Sequence, residues 1–450
     1  MSRLWDRGAA VDERILRFTT GRDPELDQRL LPYDALASAA HAMMLKDLEV
    51  LNGEELEGVL RELAVAAHEA RAGDFTIHRE QEDGHTALEN RLTERLGEAG
   101  RKIHTGRSRN DQVLAALRLW GRDALLEVVE GTLSCAESLL QLAQQHRETS
   151  LPGYTHMRQA MPSTLGLFFS SYASCLLDGL PWLDAAYGHL DRSPLGAASG
   201  FGVALPLRRD DVAQRLAFSQ LQANTLAVQS DRGKTEWLVL GAALAVLNDA
   251  GRLAMDLIWY STEELGYISL ADEVTTGSSI MPQKRNPDVL ELVRASAAKL
   301  RGRHGEIASI YAPLGAGYHR DLQHTKEPFL EGLTLAADAL FSLQAALGSL
   351  SVDEERCRQA MTRAIGATDA VYRRVAAGEP FRAAYREVAI APEAAVDEDP
   401  TQSWRARHHA GAPALLDLDP DRQRLEQGRE LVHQRRQRHQ EAWSLLPEVA

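Results

Sequence analysis

A run of apolar residues at helical spacing limits the fold more than any other feature of this chain. Between residues 111 and 146, Val113, Leu114, Leu117, Leu125, Val128, Val129, Leu133, Leu139 and Leu140 recur three and four positions apart. A helix of that length is unusual in a globular protein and needs long companions to cover it. Similar patterns run over residues 162–190, 234–261, 287–310 and 326–350, and a smaller helical region precedes them over 34–72, interrupted at 73–83. Several of these segments are apolar on more than one face, so other helices must surround them, some from neighbouring subunits. Ala and Leu dominate, aromatic residues make up 6%, and Val, Ile and Thr do not alternate as strands require. The expectation is an all-α protein with three parts: an N-terminal helical domain (1–110), a central long-helix bundle (111–350) and a C-terminal helical domain (351–450). Ser351-Val352-Asp353-Glu354 has the spacing of a capping box and opens the third part.

The formal net charge of −14 argues against whole-surface binding to nucleic acid or anionic membrane, so an anionic ligand must meet a local basic site. The basic run Arg435, Arg436 and Arg438 is interleaved with Gln and acid and reads as a solvated helix face. Cys135, Cys175 and Cys357 lie far apart among apolar neighbours, which fits buried thiols in a reducing cytoplasm. The first ten residues have no secretory apolar core, and the uncharged stretch 159–177 reads as a buried helix. The expected location is cytoplasmic, with no membrane and no nucleic-acid partner. HExxH, CxxC, P-loop and GxGxxG patterns are all lacking, so no metal and no cofactor are expected and side chains must supply the chemistry.

Chemistry is concentrated in residues 277–288, GSSIMPQKRNPD. Gly277, Ser278 and Ser279 let the backbone fold over a ligand, and Lys284 supplies a point cation. Asn286 followed by Pro287 reads as a helix start, with Asn as N-cap and Pro at the first helical position. The loop would then lead into the positive end of a helix dipole, where a carboxylate is stabilised. Three more segments gather hydrogen-bonding side chains: HTGRSRNDQ (104–112), PGYTH (152–156) and YHRDLQHTK (318–326). Arg107 and Arg109 can clamp a carboxylate bidentately with Asn110 orienting it, although RSRND on its own reads more readily as a charged helix cap. In PGYTH, Pro152 and Gly153 are expected to hold a turn that presents Thr155 and His156. A lone histidine is more often structural; a carboxylate partner makes it an acid or base near neutral pH, and Glu291 is the candidate partner.

These motifs resemble the fumarase, aspartase and argininosuccinate lyase superfamily in the GSSxMPxKxNP signature. They resemble the argininosuccinate lyases in HTGRSRNDQ, PGYTH and the EDxHTALExRL pattern at 82–92, and the likeness extends over about residues 27–388. It implies a three-domain helical subunit that assembles into a homotetramer with a twenty-helix core, each active site being shared between three subunits. It also implies reversible cleavage of argininosuccinate to arginine and fumarate. By the same likeness Ser278 is the base, Lys284 and Asn286 hold the carboxylate as it gains charge, and His156 with Glu291 serves the leaving guanidinium side. His85, Arg109, Asn110, Thr155, Ser279, Tyr318, Gln323 and Lys326 would bind substrate. Alternatives are a sister lyase on another succinyl-amine and a catalytically idle, crystallin-like structural protein. Two departures from the family pattern stand out: Arg158 precedes Gln159 where the reverse is usual, which would alter hydrogen bonding behind His156, and Leu4-Trp5-Asp6-Arg7-Gly8 replaces the usual N-terminal wording.

Overall fold

The computed structural model describes residues 12–449, so the departure at residues 4–8 lies outside the described residues. The principal helices are α1 (Glu13–Thr20), α2 (Asp23–Asp47), α3 (Gly53–Ala72), α4 (Gly84–Leu96), α5 (Arg109–Gln145), α6 (Leu165–Asp178), α7 (Leu180–Leu190), α8 (Lys234–Tyr260), α9 (Asp288–Tyr311), α10 (Lys326–Gly348), α11 (Ala367–Ala376), α12 (Phe381–Ile390) and α13 (Asp419–Trp443). Strands among the described residues form three two-stranded pairs, of which the longest is the hairpin β1 (Ser150–Thr155) and β2 (Arg158–Thr164). The chain is all-α in class, as its composition requires.

Helix α5 spans 37 residues and is the spine of the main core. All nine apolar residues that mark its periodicity are buried. Its start is a capping box: the Ser108 hydroxyl accepts from the Asn110 N–H at 3.3 Å, and the Asp111 carboxylate accepts from the Ser108 N–H at 2.9 Å. Helices α6, α7, α8, α10 and α13 pack against it, α9 packs on α8 and α10, and α2, α3 and α4 form a second core against its N-terminal end. The stretches Lys234–Tyr260 and Arg320–Gly348 are long and apolar enough to cross a membrane by length and composition. They are core helices here, with 61% and 50% of their most apolar windows buried within this chain.

Four local expectations are corrected. Residues 162–164 belong to β2, and the helical pattern over 162–190 is broken at Gly179 into α6 and α7. Pro152 and Gly153 lie within β1, while the turn falls at His156 and Met157, with φ of 54° and 58°. Two consecutive positive φ values between antiparallel strands match the twist that a two-residue hairpin loop needs. Ser351 and Val352 pair with Ile268 and Ser269 as a short strand; the cap is Asp353, whose side chain accepts from the Arg356 N–H at 3.0 Å. The basic run on α13 is docked onto the body of the fold. Arg436 pairs with Glu130 at 3.0 Å, Arg435 pairs with Asp184 and lies 3.8 Å over the Tyr187 ring, and Arg438 donates to the Ala217 carbonyl at 2.9 Å.

Buried charge ties α5 to its surroundings. Arg122 donates to Asp191 and to the carbonyls of Leu216 and Ala217, all at 2.9 Å, and both ionic partners are sealed from solvent. A buried pair adds little net stability, but removing one partner strands the other. Arg122→Met should therefore cost up to about 3–5 kcal/mol of stability, because it leaves the buried Asp191 with only the Ser219 N–H and the more distant Arg438, at 3.8 Å. The check is the chemical-denaturation midpoint against that of an exposed-pair control, Arg101→Met.

Candidate active site

The starts of α2, α4, α5 and α10 converge on a cavity of about 150 Å³. Six of the residues picked out in the sequence line it together: His85, Arg109, Asn110, Tyr318, Gln323 and Lys326. Most are placed by a helix start. Asp83 caps α4 by accepting from the Thr86 N–H at 2.9 Å, which sets His85 in the first turn. Arg109 and Asn110 occupy the first turn of α5. Lys326 begins α10 directly after the short 3-10 turn Arg320–Thr325 that carries Gln323.

The cavity charges are mostly paired within the fold. Lys326 is buried and bonds to Asp23 at 3.0 Å and Asp27 at 2.5 Å, while Asp27 also accepts from the Gly84 N–H at 3.0 Å. Burial lowers the Lys326 pKa, yet the two carboxylates outweigh burial and raise it, so the ammonium stays charged. Arg109 donates to Asp83 through Nε at 2.9 Å and lies 3.5 Å from Glu82. Asp83 is buried, which raises its pKa, but His85 and Arg109 overcome this and hold it below the usual range. His85 bonds through Nδ1 to Asp34 at 2.6 Å. The Gln323 amide donates to the carbonyls of Thr19 and Thr20 at 3.0 and 3.2 Å, joining the end of α1 to the cavity wall. Sequence reasoning missed Asp23, Asp27, Glu82 and Arg232 as lining residues. Helical periodicity carries no sign of such a role; Asp23 and Asp27, for example, take theirs from Lys326, about 300 positions away.

The other expected groups lie elsewhere in the same chain. Reciprocal backbone bonds between Thr276 and Asn286, at 3.1 and 2.8 Å, close the base of the signature loop. Within it the Ser278 hydroxyl oxygen accepts from the N–H groups of Ile280 and Met281 at 3.3 and 3.2 Å. That environment favours negative charge on the oxygen, as a serine base requires. Asn286 is not the N-cap. Pro287 precedes the first helical residue, Asp288, and the Asn286 amide reaches Thr276 Oγ1 at 3.5 Å, while the Thr276 hydroxyl donates to Asp288. Ser279, Lys284 and Glu291 are exposed, and Lys284 forms no ion pair among the described residues.

Thr155 and His156, at the tip of the hairpin, are exposed and border a separate groove of about 560 Å³ between the hairpin, α6 and α8. Among the described residues no hydrogen bond or ion pair joins His156 to Glu291, which stands exposed in the first turn of α9. Gln159 does not lie behind His156 either. Its amide donates to the Ala360 carbonyl at 2.9 Å and accepts from the Thr362 hydroxyl at 3.1 Å, so the Arg158-Gln159 order bears on the joint to the C-terminal region. One subunit thus presents three separate clusters: the cavity, the Ser278 loop and the His156 hairpin. Among the described residues, no group of three or more His, Cys, Asp and Glu side chains is placed to hold a metal ion.

Comparison with known proteins places this arrangement. A family described as Lyase matches residues 12–302. The argininosuccinate lyase of Sorangium cellulosum (strain So ce56) is 46% identical over 424 residues, covering 94% of this chain and 98% of that protein. The chain belongs to the argininosuccinate lyase family. The argininosuccinate lyase of Stenotrophomonas maltophilia (strain R551-3) is 41% identical with the same coverage. Among solved structures, EDDS lyase in complex with formate aligns with a TM-score of 0.81 at 26% identity, over 97% of this chain and 95% of that one.

The His85–Asp34 pair has a pH signature. Burial lowers the His85 pKa, and Asp34, with Asp83 and Asp27 beyond it, more than reverses this, so the folded value lies above the ordinary 6.5. The pair therefore contributes its full stability below about pH 6.5 and loses it as pH rises through the raised folded value. Asp34→Asn should remove this contribution. The gap in thermal midpoint between wild type and variant should be widest at about pH 6 and narrow as pH rises above the folded pKa, in a series of scans at constant ionic strength.

Proposed function

We propose that the protein cleaves argininosuccinate reversibly to arginine and fumarate. The carrying observation is identity of 46% and 41% along nearly the whole chain to relatives named for that reaction. The geometry supports a division of labour. In our reading Ser278, held by two backbone donors, removes the proton from the succinyl carbon next to the retained carboxylate. Lys284, Asn286 and the N-terminal end of α9 stabilise the carboxylate as it takes up the carbanion's charge. The carbon–nitrogen bond then breaks, its electron pair leaves with the guanidino nitrogen, and His156 with Glu291 protonates or orients that side. Thr155 and Ser279 bind the succinyl end, and His85, Arg109, Asn110, Tyr318, Gln323 and Lys326 form the receiving cavity. No cofactor enters the scheme.

We further propose a cytoplasmic homotetramer of subunits divided near residues 110 and 350, with each active site built from three subunits. Two observations support it. The cavity, loop and hairpin do not meet in one subunit, although the reaction needs all three within reach of one substrate. The central helices also carry exposed apolar side chains, including Met255 on α8, Leu292 on α9 and Phe341 on α10. Such residues are suited to burial against other copies.

Ser278→Ala should lower kcat on argininosuccinate by about 10²–10⁴-fold. Because Ser278 sits on a surface loop, the thermal midpoint and the oligomeric mass should not change. Fumarate release followed by ultraviolet absorbance, with adenylosuccinate, aspartate and malate alongside, reads the outcome. Rapid turnover by Ser278→Ala, or no release from argininosuccinate by the wild type, would overturn the assignment. Single-site alanine variants of Ser278 and His156, each inactive, should also regain activity when mixed and reassembled, because some hybrid sites then contain neither lesion; sedimentation and absorbance on the mixture check this.

A further inference from the structure

The hairpin that carries Thr155 and His156 is fastened on one face and open on the other. Tyr154 pairs with Gln159 and Thr155 with Arg158 across its last two rungs. Side chains on one rung share a face, and successive rungs alternate. Tyr154 and Gln159 both reach toward the C-terminal region. The Tyr154 hydroxyl meets that of Tyr267 at 2.6 Å, and its ring stands edge-on to Trp259 with centres 4.7 Å apart. The Tyr267 carbonyl accepts from the Asp353 N–H at 2.9 Å, at the head of the short helix Glu354–Gln359. Gln159 meets the other end of that helix: its amide donates to the Ala360 carbonyl at 2.9 Å, and its oxygen accepts from the Thr362 hydroxyl at 3.1 Å. Carbonyls at a helix end lack partners within the helix, so Ala360 offers a ready acceptor.

This two-way contact needs an amide. The arginine that the usual Gln-Arg order would place at 159 has no acceptor for the Thr362 hydroxyl. Beyond the clamp the tip is loose: residues 155–158 are exposed, and among the described residues their side chains form no hydrogen bond or ion pair. His156 and Met157 nevertheless hold φ of 54° and 58°. That left-handed conformation costs free energy in a residue with a Cβ and persists only where the surroundings hold it. With no side-chain contact at the tip itself, the holding falls to the rung just before it.

We propose that Gln159 is a positioning residue: through Ala360 and Thr362 it anchors the His156 turn to the C-terminal region and so sets where the imidazole stands. This rests on the lyase reading, in which His156 serves the guanidino side of the substrate. Displacing a reacting group by about 1 Å costs up to about 100-fold in rate. A surface hydrogen-bond pair of modest strength therefore acts on turnover out of proportion to its share of stability.

The test is steady-state kinetics of the native oligomer on argininosuccinate. Gln159→Ala should lower kcat by about 10-fold and leave KM within about twofold. Thr362→Val, which removes only the hydroxyl that donates to Gln159, should fall between that variant and wild type. Thermal midpoints should stay within about 2 °C of wild type. In a His156→Ala background, Gln159→Ala should make no further difference to the residual kcat, because the group it places is gone; a residue that merely steadies the fold lowers both backgrounds alike. Unchanged kcat in Gln159→Ala, a loss carried by KM instead of kcat, or an equal further loss in the His156→Ala background overturns the proposal. Wild-type turnover by His156→Ala, or no fumarate release by the wild type, refutes the lyase reading and takes the proposal with it. Those two outcomes are told apart from the others because neither involves a Gln159 variant.

Discussion

The buried ammonium of Lys326 holds together the part of the molecule on which function depends. It begins α10 and bonds to Asp23 and Asp27 in the first turns of α2, while Asp27 also accepts from the first N–H of α4. Three helix starts are thereby joined at one point, with the start of α5 beside them through Asp83 and Arg109. A buried ion cluster of this kind gives little net stability over an apolar equivalent, but a shift of any one helix would strand a charge. The cluster is better understood as a register device. It keeps the cavity open at the meeting point of four helices whose apolar faces would otherwise pack in several ways.

Pairing within the cavity also qualifies what its residues can do. A lysine already held by two carboxylates acts on a ligand mainly as a fixed field, and Gln323 spends its amide on the backbone of α1. Arg232, a second buried cation of the cavity, differs from Lys326 in that its Nε has no hydrogen-bond partner, while Asp23 and Glu236 feel its charge. The Ser278 loop is organised in the opposite way. A short backbone bridge joins its ends, Ser279 to Lys284 are exposed, and Lys284 has no ion pair among the described residues, so the loop can change shape around a ligand at little cost.

Much of the fold was legible in the sequence because its long helices are strongly periodic. The boundaries expected for α5, α8, α9 and α10 fall within a few residues of the observed ones, since an apolar stripe sustained over many turns marks where a helix runs and where it stops. The hairpin was not legible. Its turn is His156-Met157, without the Asn-Gly or Asp-Gly pair that announces such loops, and Pro152-Gly153 just upstream pointed to a turn where the chain is a strand. The docking of α13 was hidden for a different reason: the acids that receive Arg435 and Arg436 lie 251 and 306 positions away, and a basic run shows nothing of distant partners.

From its sequence alone, this chain is determined to be a long-helix protein of its family, with reacting groups in a few short polar segments. Periodicity and side-chain chemistry are local properties, and local properties survive in a linear text. Only the tertiary structure decided which of those groups meet. Six of them share the cavity at the helix starts, whereas Ser278, Lys284 and Glu291 on one side and Thr155 and His156 on another stay apart within a subunit. It also decided how the buried cations are neutralised, because the carboxylates that hold Lys326 and Arg109 are brought near only by folding.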